Sequence, residues 1–159
     1  EVAATDGNSP TNDVIDVAGG NNLVIGGAGS DTITAGNGTN TILGDDGKAE
    51  FFADDSLRLI ESTNLGVGAR DTITLQDGTN TVIAGLGNDD IDIGGGRNFV
   101  HGDEGRVEVL TDGSNTTVVS TLNPAAGTAA MVGDGVNDVP ALACADLGIA
   151  EREQPRYTY

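Results

Sequence analysis

The chain of 159 residues has no tryptophan, two tyrosines, three phenylalanines and one methionine. With aromatics at 3%, a compact core built from large side chains is not available to it. Cys144 is the only cysteine, so no intrachain disulfide can form and the redox compartment stays open. No run of 18 apolar residues occurs, which leaves no candidate for a membrane span. Basic residues are scarce as well: 7 Lys and Arg face 25 Asp and Glu, for a net charge of −18. That balance argues against nucleic acid and against anionic membranes, both of which need a basic surface. It also disfavours a compact state unless cations bind, although the acids could instead form a solvated surface. The stretch opens on "EVAATDGNSP", with neither a Met nor a signal peptide, and reads as a piece of something longer.

Glycine is abundant, at 25 residues, and hydrophobic content is 37%, too high for a simple disordered chain. Apolar residues used so economically suggest a repeat architecture, and the chain divides into nines. From Asn8 it reads "NSPTNDVID", "VAGGNNLVI", "GGAGSDTIT", "AGNGTNTIL"; from Gly66 it reads "GVGARDTIT", "LQDGTNTVI", "AGLGNDDID", "IGGGRNFVH". The eighth place of each nonapeptide is apolar: Ile15, Val24, Ile33, Ile42, then Ile73, Val82, Ile91, Val100. Residues 13–51 also align without a gap on residues 71–109, with "GDDGKAEF" matching "GDEGRVEV". Four nonapeptides fill all but 22 residues of that larger period. The inserts, at about 49–65 and 107–121, each read as strand, turn and strand, with turns at Asp54-Asp55-Ser56 and Asp112-Gly113. Each is expected to be a protruding β-hairpin.

Over roughly residues 8 to 109 this pattern resembles the repeats-in-toxin family, whose consensus is GGxGxDxUx with U a large apolar residue. "GGAGSDTIT" satisfies every place and "AGLGNDDID" misses only the first glycine. The resemblance implies a parallel β-roll in which each nonapeptide is a turn and a short strand. It also implies calcium between stacked turns, held by the aspartate carboxylate and the carbonyls of the glycine turn. Elementary chemistry is compatible with this: stacking buries one apolar side chain per half-coil, and calcium prefers six to eight oxygens.

The sixth place alternates Asp13, Asn22, Asp31, Asn40 and then Asp71, Asn80, Asp89, Asn98. If each insert lies within one half-coil, all the Asp fall on one edge and all the Asn on the other. Calcium is then expected along the Asp edge, with Asp13, Asp31, Asp71 and Asp89 as ligands. Gly27, Gly29, Gly85 and Gly87 supply turn carbonyls in the scheme the resemblance implies. The Asn edge is expected to form a neutral hydrogen-bonded ladder. The alternative for the Asp residues is turn capping through nearby N–H groups. Asp45, Asp46, Asp103 and Glu104, where the inserts begin, complete a site or are solvated; His101 and Lys48 read as surface residues.

A different signal follows. "MVGDGVNDVPALACADLGIA", residues 131 to 150, resembles the GDGxNDxPAL hinge of P-type cation-transporting ATPases. That resemblance implies strand, turn and helix, with Mg²⁺ at Asp134 and Asp138. The DKTGT segment carrying that family's phosphorylated aspartate is absent, as is the TGE loop, and phosphoryl transfer needs such a nucleophile. Pro140 falls where the repeat requires an inward strand residue, so the roll is expected to stop near Gly127. A short helix is expected from about Val139 to Ala145, with Cys144 as a small packing residue.

The expectation is therefore an all-β parallel β-roll or β-solenoid with hairpin inserts over residues 1–127. A short α-helical or irregular tail follows over 128–159. The function expected is a calcium-binding structural segment of a large secreted or cell-surface protein, adhesin- or toxin-like, binding several Ca²⁺ and folding or stiffening on them. It is not expected to be an enzyme. A surface or protein partner could meet the hairpins if Phe51, Phe52, Leu57 and Leu59 form an exposed apolar patch. The alternatives are a phosphoryl-transfer fragment using Mg²⁺ at Asp134 and Asp138, and a metal-free scaffold held by its Asn ladder.

Overall fold

The computed structural model describes residues 2–4, 10–110, 117–122, 130–133 and 147–150. Among these every regular element is a strand. After β1 (Val2–Ala4), short and longer strands alternate: β2 (Val14–Val17), β3 (Gly20–Ile25), β4 (Thr32–Ala35) and β5 (Gly38–Leu43). A hairpin of β6 (Gly47–Phe51) and β7 (Leu57–Ser62) intervenes. The alternation resumes with β8 (Thr72–Leu75), β9 (Gly78–Ile83), β10 (Asp90–Ile93) and β11 (Gly96–His101). A second strand pair, β12 (Gly105–Val109) and β13 (Thr117–Thr121), is followed by β14 (Ala130–Gly133) and β15 (Leu147–Ala150).

The longer strands form a five-stranded parallel sheet in the order β1-β3-β5-β9-β11, and the shorter ones a four-stranded parallel sheet in the order β10-β8-β4-β2. Equivalent places of the nonapeptide pair directly. Asn22 lies opposite Asn40, Asn40 opposite Asn80, and Asn80 opposite Asn98. The first insert thus leaves the register of the sheets intact. The eighth-place residues Val24, Ile33, Ile42, Ile73 and Val82 are fully buried. With Val17, Ala35 and Leu75 they form one apolar cluster fed from both sheets.

Strands β5 and β9 are apolar on their other face as well, through Leu43 and Ile83, as expected of strands covered on both sides. Their cover comes from the inserts, and here the structure departs from the expectation of separate protruding hairpins. Strand β7 pairs antiparallel with β12, Ile60 opposite Val107 and Glu61 opposite Arg106. The two inserts therefore make a single four-stranded sheet, β13-β12-β7-β6. Leu43, Ile83, Ile60 and Val107 form a second buried cluster, with Ile25, Leu57, Phe99 and Val119 packed against it. Burying this apolar face outweighs leaving two isolated hairpins in water, since a lone two-stranded hairpin is marginal.

Two further expectations are corrected by the same packing. Leu59 is buried, so Phe51, Phe52, Leu57 and Leu59 do not form an exposed patch; of the four only Phe51 is largely exposed. His101 is buried rather than superficial, because it continues the row through Leu43 and Ile83 and the second insert turns back over it at Gly105. Lys48 is exposed, within reach of Glu50 and Glu61. The Asp54 turn forms: Asp54 accepts hydrogen bonds from the Ser56 amide (3.1 Å) and hydroxyl (2.6 Å). Strands β14 and β15 pair in parallel. The Asp112-Gly113 turn, the helix expected over 139–145, Cys144 and the end of the roll near Gly127 lie outside the described residues.

Candidate metal centre

Asp13, Asp31, Asp71 and Asp89 close the turns that enter β2, β4, β8 and β10 of the four-stranded sheet; before Asp31 and Asp89 the chain comes directly from the five-stranded sheet. These four carboxylates stack. Oδ1 of Asp31 accepts the amide of Asp13 at 2.8 Å, Oδ1 of Asp71 that of Asp31 at 2.8 Å, and Oδ1 of Asp89 that of Asp71 at 2.9 Å. The capping alternative is thus realised for one oxygen of each acceptor. The other oxygen, Oδ2 of Asp31, Asp71 and Asp89, is buried with no hydrogen-bond partner. A buried carboxylate oxygen without a partner is costly, and the cost is relieved by a proton or a cation.

The acids show that pressure. Burial raises the Asp31 and Asp89 carboxyls above the usual range, and it pushes Asp71 up to about 7. For Asp71 the donated Asp31 amide opposes the rise, while the charges of Asp89 and Asp31 add to it. The described ion pairs of Lys48, Arg58 and Arg106 lie on the insert sheet, with Glu50, Glu61 and Glu108. Arg70 approaches the Asp edge, 3.8 Å from Asp90, and its charge works against the rise at Asp89.

Gly27, Gly29, Gly85 and Gly87 lie in these turns with φ of 96°, 129°, 104° and 157°, a region that glycine adopts at little cost. Neighbouring turns approach closely. A Cβ on Gly26 would stand 2.1 Å from the carbonyl oxygen of Gly44 and 2.7 Å from Oδ2 of Asp31. One on Gly44 would stand 2.1 Å from the carbonyl oxygen of Ala84 and 2.3 Å from Oδ2 of Asp71. A carbonyl and an unpaired carboxylate oxygen thus converge beside each glycine. Among the described residues, no group of three or more His, Cys, Asp or Glu side chains is placed to hold a metal ion alone. A cation here would need backbone carbonyls as well. All-oxygen donors of this kind suit a hard ion such as calcium.

Asp45, Asp46, Asp103 and Glu104 are all buried, not solvated. Asp46 accepts from the Asn64 amide group at 3.0 Å, and Glu104 from the Gly66 N–H at 2.5 Å. Asp45 belongs to the Asp edge itself, where it accepts the Leu86 N–H at 2.6 Å. Burial pushes its carboxyl up to about 8, against the Leu86 and Ala69 backbone hydrogen bonds and with the charges of Asp71 and Asp89. Its role was readable in part: Asp45 and Asp103 occupy the place that Gly27 and Gly85 hold in the nonapeptide frame.

The opposite edge is neutral. Asn22 donates to Asn40, Asn40 to Asn80 and Asn80 to Asn98, side chain to side chain, each at 2.8 Å. Each amide also donates to a turn carbonyl, those of Ala18, Gly36, Gln76 and Gly94. This is the expected ladder, and it uses both donors of the Asn22, Asn40 and Asn80 amides, leaving no charge to neutralise. Asp134 and Asp138 lie outside the described residues.

Residues 16–48, 65–100 and 76–107 match the family model of the RTX calcium-binding nonapeptide repeat. Short stretches are similar to P-type ATPases. The chain is 64% identical over 33 residues to the cation-transporting P-type ATPase B of Mycobacterium leprae (strain TN), covering 21% of this chain and 4% of that protein. It is 50% identical over 48 residues to the silver exporting P-type ATPase of Salmonella typhimurium and to the copper-transporting P-type ATPase of Rhizobium leguminosarum bv. viciae. Each of these two matches covers 30% of this chain and 6% of the relative. The chain thus spans only a small fraction of the length of these curated relatives. No solved structure matches.

Proposed function

Since the chain carries RTX calcium-binding nonapeptide repeats, we propose that it is a calcium-binding structural segment whose two parallel sheets form a β-roll. It belongs to a larger secreted or cell-surface protein of the adhesin or toxin kind, and it folds or stiffens when several Ca²⁺ bind. The ligands are Asp13, Asp31, Asp71 and Asp89 with carbonyls of the turns bearing Gly27, Gly29, Gly85 and Gly87. One observation supports this most. The two edges share one repeat and one stacking register, yet only the Asp edge buries carboxylate oxygens that nothing satisfies. A metal-free scaffold would have no need of that asymmetry, because Asn at every sixth place completes the hydrogen bonds.

The role is structural rather than catalytic. The similarity to P-type ATPases is confined to short stretches, and the sequence lacks the DKTGT nucleophile segment. Asp134 and Asp138 are at most a Mg²⁺ pair without a phosphoryl acceptor. Among the described residues no helix is long and apolar enough to cross a membrane. Far-UV circular dichroism after chelation, titrated with calcium and with magnesium as control, tests the proposal. A coil-to-β transition with calcium is expected, lost in Asp31→Ala and Asp89→Ala and retained in Asn98→Ala at the exposed end of the ladder. A β spectrum that ignores calcium would replace the switch with the Asn-laddered scaffold.

A further inference from the structure

The first insert leaves the five-stranded sheet at Gly44, and its first side chain turns back into the Asp edge. A Cβ on Gly68 would stand 2.0 Å from Oδ2 of Asp45, and one on Gly85 would stand 2.2 Å from the same atom. The Asp45 carboxylate therefore sits between the turn that enters β8 and the turn that leaves β9. It is 3% exposed. Oδ2 is held by the Leu86 N–H, whereas Oδ1 is buried without a partner. Beside Gly44, the residue before it, Oδ2 of Asp71 and the carbonyl oxygen of Ala84 converge, and that Asp71 oxygen is also unpaired. An unpartnered Asp71 oxygen and the Ala84 carbonyl thus lie beside Gly44, and the next residue, in the second glycine place of the nonapeptide, carries a further buried oxygen without a partner, Asp45 Oδ1. A turn needs no carboxylate there, since an amide oxygen would accept the Leu86 N–H equally well.

We propose that Asp45 is a ligand for a divalent cation of calcium's type, carried into the Asp edge by the insert and acting with Asp71 Oδ2 and the Ala84 carbonyl. The inference rests on the reading that the Asp edge binds calcium. It goes beyond that reading by giving the insert a ligand. Two carboxylates with carbonyls and water make a reasonable oxygen set for such an ion. Asp45 is two residues from β6, and β6 and β7 hold β12 in the insert sheet. Filling this site therefore ties docking of that sheet to cation binding.

Calcium binding to the whole chain is measured by isothermal titration, with calcium chloride alone as ligand, for wild type, Asp45→Asn and Asp46→Asn. Asp45→Asn retains an acceptor for the Leu86 N–H and removes like-charge repulsion. It is expected to bind one ion fewer, or one ion at least about tenfold more weakly. Asp46→Asn removes a neighbouring buried charge and should match wild type. If wild type binds calcium and Asp45→Asn binds it identically, Asp45 is a hydrogen-bond acceptor only and the inference falls. If wild type binds none, the calcium reading of the whole edge falls first. Should Asp45→Asn not fold, amide exchange of wild type decides: calcium must slow exchange in β7 and β12 together with β8 and β9. Insert amides indifferent to calcium would overturn the proposal.

Discussion

Asn40 sits at the middle of the neutral edge, and replacing it by Ala tests whether the ladder holds the register. Its side chain is fully buried and makes three hydrogen bonds: to Asn80 Oδ1 at 2.8 Å, to the Gly36 carbonyl at 3.0 Å, and from Asn22 at 2.8 Å. Asn22 keeps a second acceptor in the Ala18 carbonyl, so its loss is partial. Asn80 Oδ1, in a residue 1% exposed, loses its donor, as does the Gly36 carbonyl. Each acceptor stripped of its donor costs about 1–3 kcal/mol, giving about 2–6 kcal/mol in all. Asn98→Ala is the internal control. Asn98 is exposed, and the donor it strands, Asn80 Nδ2, keeps the Gln76 carbonyl at 3.2 Å; the expected cost is below about 1 kcal/mol. Urea unfolding followed by circular dichroism in saturating calcium measures both. Equal midpoints for the two variants would refute the ladder as a source of stability.

The chelated protein should lose stability as pH rises. Asp45 and Asp71 keep their protons in the folded chain up to about 8 and about 7, against a value of 3.8 when free. Between pH 5 and 7 the unfolded chain therefore binds fewer protons. Stability falls by about 1.4 kcal/mol per pH unit for each group. Thermal unfolding in chelator reads this as a falling Tm, and saturating calcium, which competes with those protons, should reverse the sign; a chelated Tm that climbs from pH 5 to 7 contradicts the assignment. Gly44→Ala should destabilise by about 1–3 kcal/mol, because its Cβ meets the Ala84 carbonyl and Asp71. Gly102→Ala, with open space around it, should be neutral in the same denaturation assay.

Much of the parallel architecture was legible because it is local and periodic. The nonapeptide frame places Ile33, Ile42, Ile73 and Val82 inside, and the alternation of Asp31 with Asn40 assigns the edges. The 22 residues separating the two blocks do not disturb either, since Asp31 still meets Asp71. The insert sheet was not legible. Its central pairing, Ile60 with Val107, joins segments far apart in sequence, and nothing periodic links them. The burial of His101 and Leu59 follows from that pairing, so His101 was misread as a surface residue and the condition for an exposed hairpin patch is not met. Asp45 lies between these cases. Its departure from the glycine place is visible, but only the close approach of Gly68 and Gly85 gives it a location.

The two edges differ by one heavy atom at each sixth place, an oxygen against an amide nitrogen, and that difference divides the work between them. An amide has a donor and an acceptor, so stacked Asn side chains satisfy one another and favour the register in which Asn faces Asn. A carboxylate has only acceptors. Asp31, Asp71 and Asp89 each draw one N–H from the backbone and are left with one oxygen apiece. Strands in a sheet are about 4.8 Å apart; at that spacing and an effective dielectric of about 20, neighbouring carboxylates repel by roughly 3 kcal/mol. Repulsion of that size, repeated along the edge, is comparable to the whole stability of a small domain. The neutral edge can thus fix which strands pair, while under the proposed function the acidic edge would make the paired state depend on a counter-cation. If Asp45 is a ligand, the same dependence extends to the insert sheet. A calcium-sensitive roll built this way would also keep its register each time the ion is removed and returned.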